Sequence, residues 1–210
     1  MPPIDEANAT PEELWEFYMG KYKNPNPLAR RLTDRFFVSA GQAIARLPAD
    51  FRLLEIGCGP GESTRRILPM LKGQSLEASE FEQRLVDLHL SRGFPVPLSQ
   101  ESVYALHRAD DEYDCLLLLE VLEHLDDVET ALGELFRVAR HSVILSVPNE
   151  PLWRVLNFLR GKYWADWGNT PGHVNHWSSR EFVELIGRYG NIISVQTPTP
   201  WTIVHATVKT

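Results

Sequence analysis

The chain contains few cysteines. Cys58 and Cys115 are the only two, and they lie far apart along the sequence. Two such residues cannot build a disulfide framework, and their separation does not match the C-x-x-C spacing of a thiolate metal site. Low cysteine content is typical of proteins in a reducing compartment, so we expect a cytoplasmic protein.

Long apolar runs and an excess of positive charge are also missing. No stretch approaches the ~18 consecutive apolar residues of a membrane-spanning helix, and the N-terminus lacks a charged-then-apolar signal pattern. Acidic residues outnumber basic ones by 28 to 21, which gives a formal net charge of −7. A nucleic-acid-binding protein usually presents a basic surface. We therefore expect no membrane span, and the charge argues against a nucleic acid as partner.

What is present is a chain of 210 residues with 43% apolar side chains, enough to bury the core of one α/β domain. Strand and helix patterns divide this single domain into four segments. We expect N-terminal helices in residues 1–49 and a ligand-binding core in 50–147. An insertion should occupy 148–177, and a C-terminal helix and hairpin should occupy 178–210.

Two amphipathic helices precede the first predicted strand. Thr10 is placed to cap the first helix, with Pro11 at its first position and Glu13 completing a capping box. After a break at residues 24–27, apolar side chains at helical spacing predict the second helix. Its stripe consists of Leu28, Leu32, Phe36, Ala40, Ile44 and Leu47. These helices are an N-terminal addition to the core fold.

A glycine-rich turn follows the first core strand, which we place at Phe51–Ile56. Gly57, Gly59 and Gly61 allow positive φ angles and a close approach of a ligand to the backbone, and a helix begins directly afterwards. The pattern E-x-G-x-G-x-G is not the dinucleotide pattern G-x-G-x-x-G, and no lysine follows it as in a phosphate loop. Glu55 would repel a phosphate, whereas it could face a cationic amino group.

The stretch Leu54–Gly61 resembles the first motif of the class I S-adenosylmethionine (SAM) methyltransferases. The resemblance implies that SAM is the cofactor and that residues 50–147 bind it. The loop residues assigned to the cofactor are Glu55, Gly57, Cys58, Gly59 and Gly61. The resemblance also implies a Rossmann-like, doubly wound α/β sheet of seven strands with an antiparallel last strand, which agrees with the alternating pattern of strands and helices.

An acidic side chain follows the second strand, predicted at Ser75–Ser79. A carboxylate at this position can accept hydrogen bonds from both ribose hydroxyls of a nucleoside. Glu80 stands near the expected distance from the glycine loop and is our preferred candidate. Glu77, on the same strand, and Glu82, at the start of the next helix, remain alternatives.

Two further strands extend the predicted core. Phe94–Leu98 should be short because Pro95 and Pro97 weaken it, whereas Cys115–Leu119 is continuously apolar, as expected of a strand buried on both faces. In a parallel sheet, ligands bind beyond the carboxyl ends of the strands. The residues that stand at such ends and should converge on one crevice are Gly57, Glu80, Ser102 and Glu120.

The family resemblance places the adenine contacts just after the third strand. Ser102 aligns with the side chain that contacts the adenine amino group, and the backbone N–H of Val103 would contact the ring. No Asp stands at the family's usual position, and Gln100 or Glu101 could replace Ser102 in this contact. Glu120, after the fourth strand, is assigned to the cofactor as well.

Two more ionisable side chains, Glu123 and His124, follow Glu120 closely. If this segment forms a helical turn, the three side chains share one face, because positions i, i+3 and i+4 are neighbours on a helix. Carboxylate and imidazole ligands suit Mg, Mn, Fe or Zn ions. In a metal-free alternative, His124 caps local backbone groups, while Glu123 and Asp126 begin the next helix.

A histidine after the fifth strand could complete a metal site. Two kinds of O-methyltransferase have a similar pair of motifs, Glu-x-x-Glu-His and then a His shortly before Trp-Ser/Thr. They are the ubiquinone-pathway enzymes and the enzymes that methylate the 3′-terminal 2′-hydroxyl of small RNAs. The resemblance assigns the metal ligands to Glu120, Glu123, His124 and His173, with His176 as the alternative to His173. Without a metal, His124 or His173 would be the general base, and Glu123 completes the catalytic candidates.

The insertion at 148–177 is rich in aromatic residues. They are Trp153, Phe158, Tyr163, Trp164, Trp167 and Trp177. We expect an aromatic lid over an apolar or planar acceptor, and a packed cover for the sheet is the alternative. After the insertion, Ser178 and Glu181 predict a capping box, followed by a helix and the antiparallel pair Asn191–Gln196 and Trp201–Val208.

The sequence thus predicts an enzyme that transfers a methyl group from SAM to an oxygen of a small-molecule acceptor. The methyl group of SAM is already activated, so such an enzyme needs a positioned acceptor and a proton acceptor, and no covalent nucleophile. Two alternatives remain open: transfer to the 2′-hydroxyl of an RNA 3′ end, and a SAM-binding protein without catalytic activity. Either a monomer or a homodimer is consistent with the sequence.

Overall fold

Seven β-strands form one mixed sheet in the structure, a computed structural model that describes residues 5, 7–20, 22–23, 25–150, 152 and 173–209. The strands are β1 (Arg52–Ile56), β2 (Ser75–Glu80), β3 (Leu98–Gln100), β4 (Tyr113–Leu119), β5 (Ala139–Pro148), β6 (Gly190–Gln196) and β7 (Trp201–Val208). Their order is β3-β2-β1-β4-β5-β7-β6, and β7 is antiparallel to both of its neighbours. The predicted doubly wound sheet with an antiparallel last strand is confirmed.

The strand order reverses between β1 and β4. The chain moves outward from β1 through β2 to β3 and then crosses to β4, on the other side of β1. The parallel register pairs Ile56 with Leu118, so both strands end at the same edge of the sheet. Such a reversal opens a crevice at the carboxyl ends of the two strands, because the loops leave in opposite directions. Gly57 and Glu120 follow these strands and therefore lie at this edge.

Six α-helices pack around the sheet within the described residues. They are α1 (Pro11–Met19), α2 (Pro27–Ile44), α3 (Glu62–Ile67), α4 (Gln83–Ser91), α5 (Val128–Val138) and α6 (Ser179–Tyr189). The predicted capping box of Thr10 and Glu13 is present before α1. Ser178 and Glu181 form the other predicted box before α6. The N-terminal helical addition is therefore confirmed.

Strand β4 is buried along its whole length, and its side chains alternate between two apolar layers. Leu116 and Leu118 pack with residues of α5 and α6, whereas Cys115 and Leu117 pack with residues of α2 and α3. Burial on both faces explains the unbroken apolar run in the sequence. Each buried leucine side chain contributes about 1.5–3 kcal/mol relative to an exposed one, so β4 anchors the edge that carries the crevice.

Strand β3 differs from the strand expected at Phe94–Leu98. It covers Leu98–Gln100, so it begins where the expected strand ends. Proline has no N–H to donate to a ladder, and the segment with Pro95 and Pro97 therefore forms the connection instead. The Pro97 carbonyl still accepts a hydrogen bond from the Ala78 N–H at 2.9 Å.

Most of the predicted aromatic lid, residues 153–172, lies outside the described residues. The two ends of the insertion meet, because Asn149 and Trp177 form an isolated parallel bridge. Trp177 also packs against Phe182 of α6, with the ring centroids 6.1 Å apart. In the part of the chain that the structure describes, no helix is both long and apolar enough to cross a bilayer.

A buried histidine on β7 has no hydrogen-bond partner among the described residues. His205 is 7% exposed, and neither of its ring nitrogens is bonded. Burial and, to a smaller extent, the positive charge of Arg46 lower its pKa below the usual 6.5. The folded protein therefore favours the neutral ring, and protonation favours the unfolded chain.

We predict that His205→Leu makes folding less sensitive to acid. The stability that depends on the neutral ring is fully present above about pH 6.5. It is lost as the pH falls towards the lower folded-state pKa, by at most about 1.4 kcal/mol per pH unit for one proton. Urea unfolding of both proteins at about pH 7.5 and about pH 5.5 measures the effect. The free energy of unfolding of the variant, taken relative to that of the native protein, should be higher at the lower pH. A relative stability that is the same at both pH values would contradict the prediction.

Candidate functional site

The glycine loop has a backbone geometry that requires glycine at two positions. Gly57 and Gly61 have φ angles of 71° and 77°. A Cβ atom on Gly57 would lie 2.8 Å from Val121 Cγ2, and one on Gly61 would lie 2.5 Å from the ring of Phe94. Gly59 also has a positive φ, but no described atom lies within 4 Å of its Cβ position. A ligand can therefore approach the loop backbone at Gly59.

Side chains from outside the loop hold its peptide groups. The Gly59 N–H donates to Glu80 Oε2 at 2.7 Å, and the Gly59 carbonyl lies 2.8 Å from His89 Nε2. Because a carbonyl only accepts, Nε2 of His89 carries the proton. Trp15 Nε1–H, on α1, donates to the Pro60 carbonyl at 3.1 Å. Sequence analysis missed His89 and Trp15, since no spacing rule relates them to partners 30 and 45 positions away.

Among the three candidates for the ribose contact, Glu80 is the one whose carboxylate contacts the glycine loop. It is 8% exposed, and burial raises its pKa despite hydrogen bonds from backbone N–H groups. The other two carboxylates have different partners. Glu77 accepts from the Tyr113 hydroxyl at 2.8 Å, and Glu82 forms an ion pair with Arg84 at 2.7 Å. The geometry therefore favours Glu80 over both alternatives.

Two other predicted cofactor residues are buried at the base of the loop. Glu55 is 1% exposed and accepts a hydrogen bond from Thr64 Oγ1 at 2.5 Å. Burial raises its pKa, and the hydrogen bonds from Ser63 and Thr64 oppose that rise. The backbone N–H of Cys58 donates to the Ser79 carbonyl at 3.0 Å. Glu55 thus holds the start of α3 to β1, and its direct contact with the cofactor stays a prediction.

The predicted adenine contacts lie in a turn after β3. Ser102 is half-buried in this turn and Val103 is buried. The two alternatives to Ser102 have other partners: Glu101 forms a buried ion pair with Arg108, and Gln100 donates to a backbone carbonyl at 2.9 Å. Ser102 has a partner as well, because its Oγ accepts from the Tyr104 N–H at 3.3 Å, and its contact with adenine stays a prediction.

Strand β4 ends in a sharply turned segment. Glu120 has a φ of 59°, a left-handed conformation that is uncommon outside glycine. Its N–H donates to the Ser146 carbonyl at 3.2 Å, and its carboxylate accepts from Ser146 Oγ at 2.9 Å. A short 3₁₀ turn, Leu122–His124, follows. Because of this left-handed residue, the expected helical face of Glu120, Glu123 and His124 does not form.

Three of the four predicted metal ligands nevertheless come together. Glu123, His124 and His173 each offer a ligand atom, and these atoms all lie within 4.8 Å of one another. The backbone maintains this grouping, because the N–H groups of Val174 and Asn175 both donate to the Glu123 carbonyl, at 3.0 and 3.1 Å. We call these three side chains the Glu-His-His cluster.

The Glu-His-His cluster is open to solvent on one side. Glu123 and His173 are buried, whereas the side chain of His124 is 44% exposed. The two imidazole rings lie edge to face with centroids 4.9 Å apart. Within the described residues, neither Glu120 nor His176 belongs to the group. An acceptor could therefore reach the cluster from the side of His124.

A second buried carboxylate lies within hydrogen-bond distance of His173, a member of the cluster. Glu150 is 3% exposed, and its Oε1 lies 2.7 Å from His173 Nδ1. Sequence analysis did not assign a role to this residue. Its position just after β5, at the carboxyl edge of the sheet, is the signal that could have identified it.

The cluster lies next to the glycine loop. β1 and β4 are neighbours in the sheet. Val121, two positions before Glu123, lies so close to Gly57 that a Cβ atom on Gly57 would be 2.8 Å from Val121 Cγ2. One carboxylate and two imidazoles form the donor set that proteins use for Fe(II) with open coordination positions, and Mn and Zn accept similar ligands. Mg prefers oxygen ligands and an octahedral arrangement. The donor set therefore fits a transition-metal ion better than Mg.

Comparison with protein families identifies the class of the fold. A family model described as a methyltransferase domain matches residues 23–191, which is most of the chain. The matched segment contains the glycine loop, Glu80 and the Glu-His-His cluster. No curated protein matches the chain significantly.

Many solved structures share the fold. A SAM-dependent methyltransferase from Aquifex aeolicus has a TM-score of 0.65 at 15% identity, covering 96% of this chain and 100% of that chain. Magnesium protoporphyrin IX methyltransferase from Synechocystis PCC 6803, with bound SAH, has a TM-score of 0.65 at 16% identity, covering 93% and 94%. A possible histamine N-methyltransferase from Thermotoga maritima has a TM-score of 0.63 at 18% identity, covering 93% and 98%.

At these low identities the solved structures establish the fold alone, whereas the family model covers the crevice residues themselves. The open glycine loop, the acidic residue at the end of β2 and the strand-order reversal are features of nucleoside-binding crevices in doubly wound sheets. The chain therefore belongs to the methyltransferase-domain family and is a class I SAM-dependent methyltransferase.

Proposed function

We propose that this enzyme transfers the methyl group of SAM to a hydroxyl oxygen of a small molecule that carries two neighbouring hydroxyl groups. The observation that supports the proposal is the Glu-His-His cluster, whose ligand atoms group within 4.8 Å beside the glycine loop. Glu123, His124 and His173 would hold a divalent ion. When bound, such an ion binds neighbouring hydroxyls and lowers the pKa of the acceptor.

The cofactor side of the crevice is formed by residues at the strand ends. Glu80, which contacts the glycine loop, would accept hydrogen bonds from the ribose hydroxyls, and the open space beside Gly59 would permit close contact with the cofactor. Ser102 and Val103 would contact the adenine. SAM supplies a methyl group activated on a sulfonium, so the task of the chain is to orient the acceptor oxygen.

Without a metal, His124 or His173 would act as the general base that takes the proton of the acceptor. His124 is exposed, so an acceptor hydroxyl could reach it, and its Nε2 lies 4.0 Å from the buried Glu123 carboxylate. With a metal, the imidazole lone pairs would bind the ion, and the ion would lower the pKa of the acceptor instead.

We predict that Glu80→Ala weakens SAM binding by roughly 10- to 100-fold. A hydrogen bond to a charged group contributes about 1.5–3 kcal/mol, and about 1.4 kcal/mol corresponds to a factor of ten in Kd. Isothermal titration calorimetry with S-adenosylhomocysteine measures the change. The matched control is Glu77→Ala, on the same strand, whose carboxylate accepts from Tyr113. An equal loss of affinity in both variants would count against Glu80.

We predict that a chelator abolishes methyl transfer, and that Glu123→Ala and His124→Ala each lower kcat by roughly 100-fold or more. The two variants should also lose bound metal, which mass spectrometry of the purified proteins detects. His107→Ala, which removes an exposed histidine outside the cluster, should keep both properties. Full turnover in excess chelator would refute the metal and leave the metal-free alternative.

We predict that catechols accept the methyl group at least about tenfold better, in kcat/KM, than matched phenols with one hydroxyl, because two hydroxyls can bind one ion. Transfer from labelled SAM to catechols, phenols, sugars and short RNAs, with and without divalent metal, measures this preference. Equal use of phenols and catechols would contradict it. Preferred transfer to RNA 3′ ends would instead favour the RNA alternative, whose candidate basic residues Arg154, Arg160 and Lys162 lie outside the described residues.

A further inference from the structure

The pair Glu150–His173 has a geometry that determines the protonation of an imidazole in the Glu-His-His cluster. We propose that Glu150 is a positioning residue: it holds His173 as the Nδ1–H tautomer, so that Nε2 carries the lone pair that the cluster uses. This inference rests on the proposed function only for its effect on methyl transfer, because the tautomer itself is a property of the protein alone.

The tautomer follows from the chemistry of the contact. His173 Nδ1 lies 2.7 Å from Glu150 Oε1, a distance typical of a charge-assisted hydrogen bond. An ionised carboxylate can only accept, so Nδ1 must carry the hydrogen. In a neutral ring the lone pair then lies on Nε2. A lone pair on this nitrogen can bind a metal ion or accept a proton from an acceptor hydroxyl.

Both members of the pair are fixed by backbone contacts. The Glu150 N–H donates to the Trp177 carbonyl at 3.0 Å, and the preceding Asn149 N–H donates to the Pro200 carbonyl at 2.8 Å. Behind His173, Val174 is bonded to the Glu123 carbonyl. These bonds hold the backbone of Glu150 at the end of β5 and the backbone next to His173 at the turn after β4, so the two side chains start from fixed positions.

The carboxylate of Glu150 makes few polar contacts. Among the described residues, His173 is its one ion-pair partner, and Oε2 is buried without a hydrogen bond. A buried carboxylate with a single partner costs free energy, and an apolar or amide side chain of similar size would serve folding equally well or better. An amide, however, offers both donors and an acceptor and does not impose one tautomer. This difference separates a positioning role from a packing role.

A carboxylate that orients a metal-ligating histidine affects the metal affinity of the site. A carboxylate that accepts from the second nitrogen of a ligating histidine fixes the ring and its tautomer, and its removal typically weakens metal binding by about 10- to 100-fold. The Glu150 contact has the same arrangement, with His173 between a buried carboxylate and the cluster.

Nitrogen NMR of the full chain with 15N-labelled histidine tests the tautomer directly. The metal-free protein is measured at alkaline pH, where imidazole rings are neutral, and His173→Gln identifies the signals of His173 by their loss. We expect Nδ1 of His173 to carry hydrogen and Nε2 to be unprotonated in the native protein. In Glu150→Gln we expect a mixture of tautomers. Glu134→Gln, which removes a carboxylate bonded to Arg137 on α5, should match the native protein.

An Nε2–H tautomer of His173 in the native protein would overturn the proposal, so this part of the test does not depend on the folding of Glu150→Gln. An unchanged Nδ1–H tautomer in a folded Glu150→Gln would also overturn it, because the backbone would then set the ring without the carboxylate.

Calorimetry with Zn²⁺ measures the consequence for the cluster. We expect Glu150→Gln to raise the Kd for Zn²⁺ by about 10- to 100-fold. In turnover with SAM, kcat should fall while the KM for SAM stays unchanged, because Glu150 does not contact the glycine loop. An unchanged Kd and kcat would overturn the positioning role. If the native protein neither binds Zn²⁺ nor methylates a hydroxyl, the proposed function fails, and the NMR result still decides the role of Glu150.

Discussion

The peptide group of Gly59 connects the glycine loop to strand β2 and to helix α4. Its N–H binds Glu80 at the end of β2, and its carbonyl binds His89 on α4. One neutral bond and one bond to a charged group together contribute about 2–4 kcal/mol. Both partners are buried side chains, and they fix the orientation of this peptide group. Glycine adopts positive φ angles without strain, and these contacts select such angles in the folded loop.

Similar contacts connect the N-terminal helices to the glycine loop. Trp15 of α1 donates to the Pro60 carbonyl, so α1 fixes the peptide group next to Gly59. α1 in turn packs on α4 through Leu14 and Leu85, both buried. Helix α4 supplies His89, and therefore one helix pair fixes two consecutive carbonyls of the loop. The helices that precede β1 therefore support the geometry of the glycine loop as well as the packing of the domain.

Local signals in the sequence were sufficient for the fold and for the backbone of the glycine loop. The capping boxes, the glycine pattern and the apolar run of β4 each act within a few residues, and the structure contains them. The errors arose where distant residues decide the outcome. The left-handed Glu120 is bonded to Ser146 on the neighbouring strand, and this contact removes the helical face that spacing suggested. His89 and Glu150 were missed because their partners are remote in sequence and close only after the sheet has formed.

The two halves of the active crevice differ in how tightly the fold determines them. The cofactor half is built from strand ends and a glycine loop, so the sheet itself sets its geometry. The cluster instead combines the turn after β4 with His173, which follows the insertion. Val174 and Asn175 are bonded to the turn, and Glu150 is bonded to Trp177, so both ends of the insertion are fixed to the sheet. Substitutions between these ends therefore need not displace His173, and the family of the chain identifies the cofactor but not the acceptor.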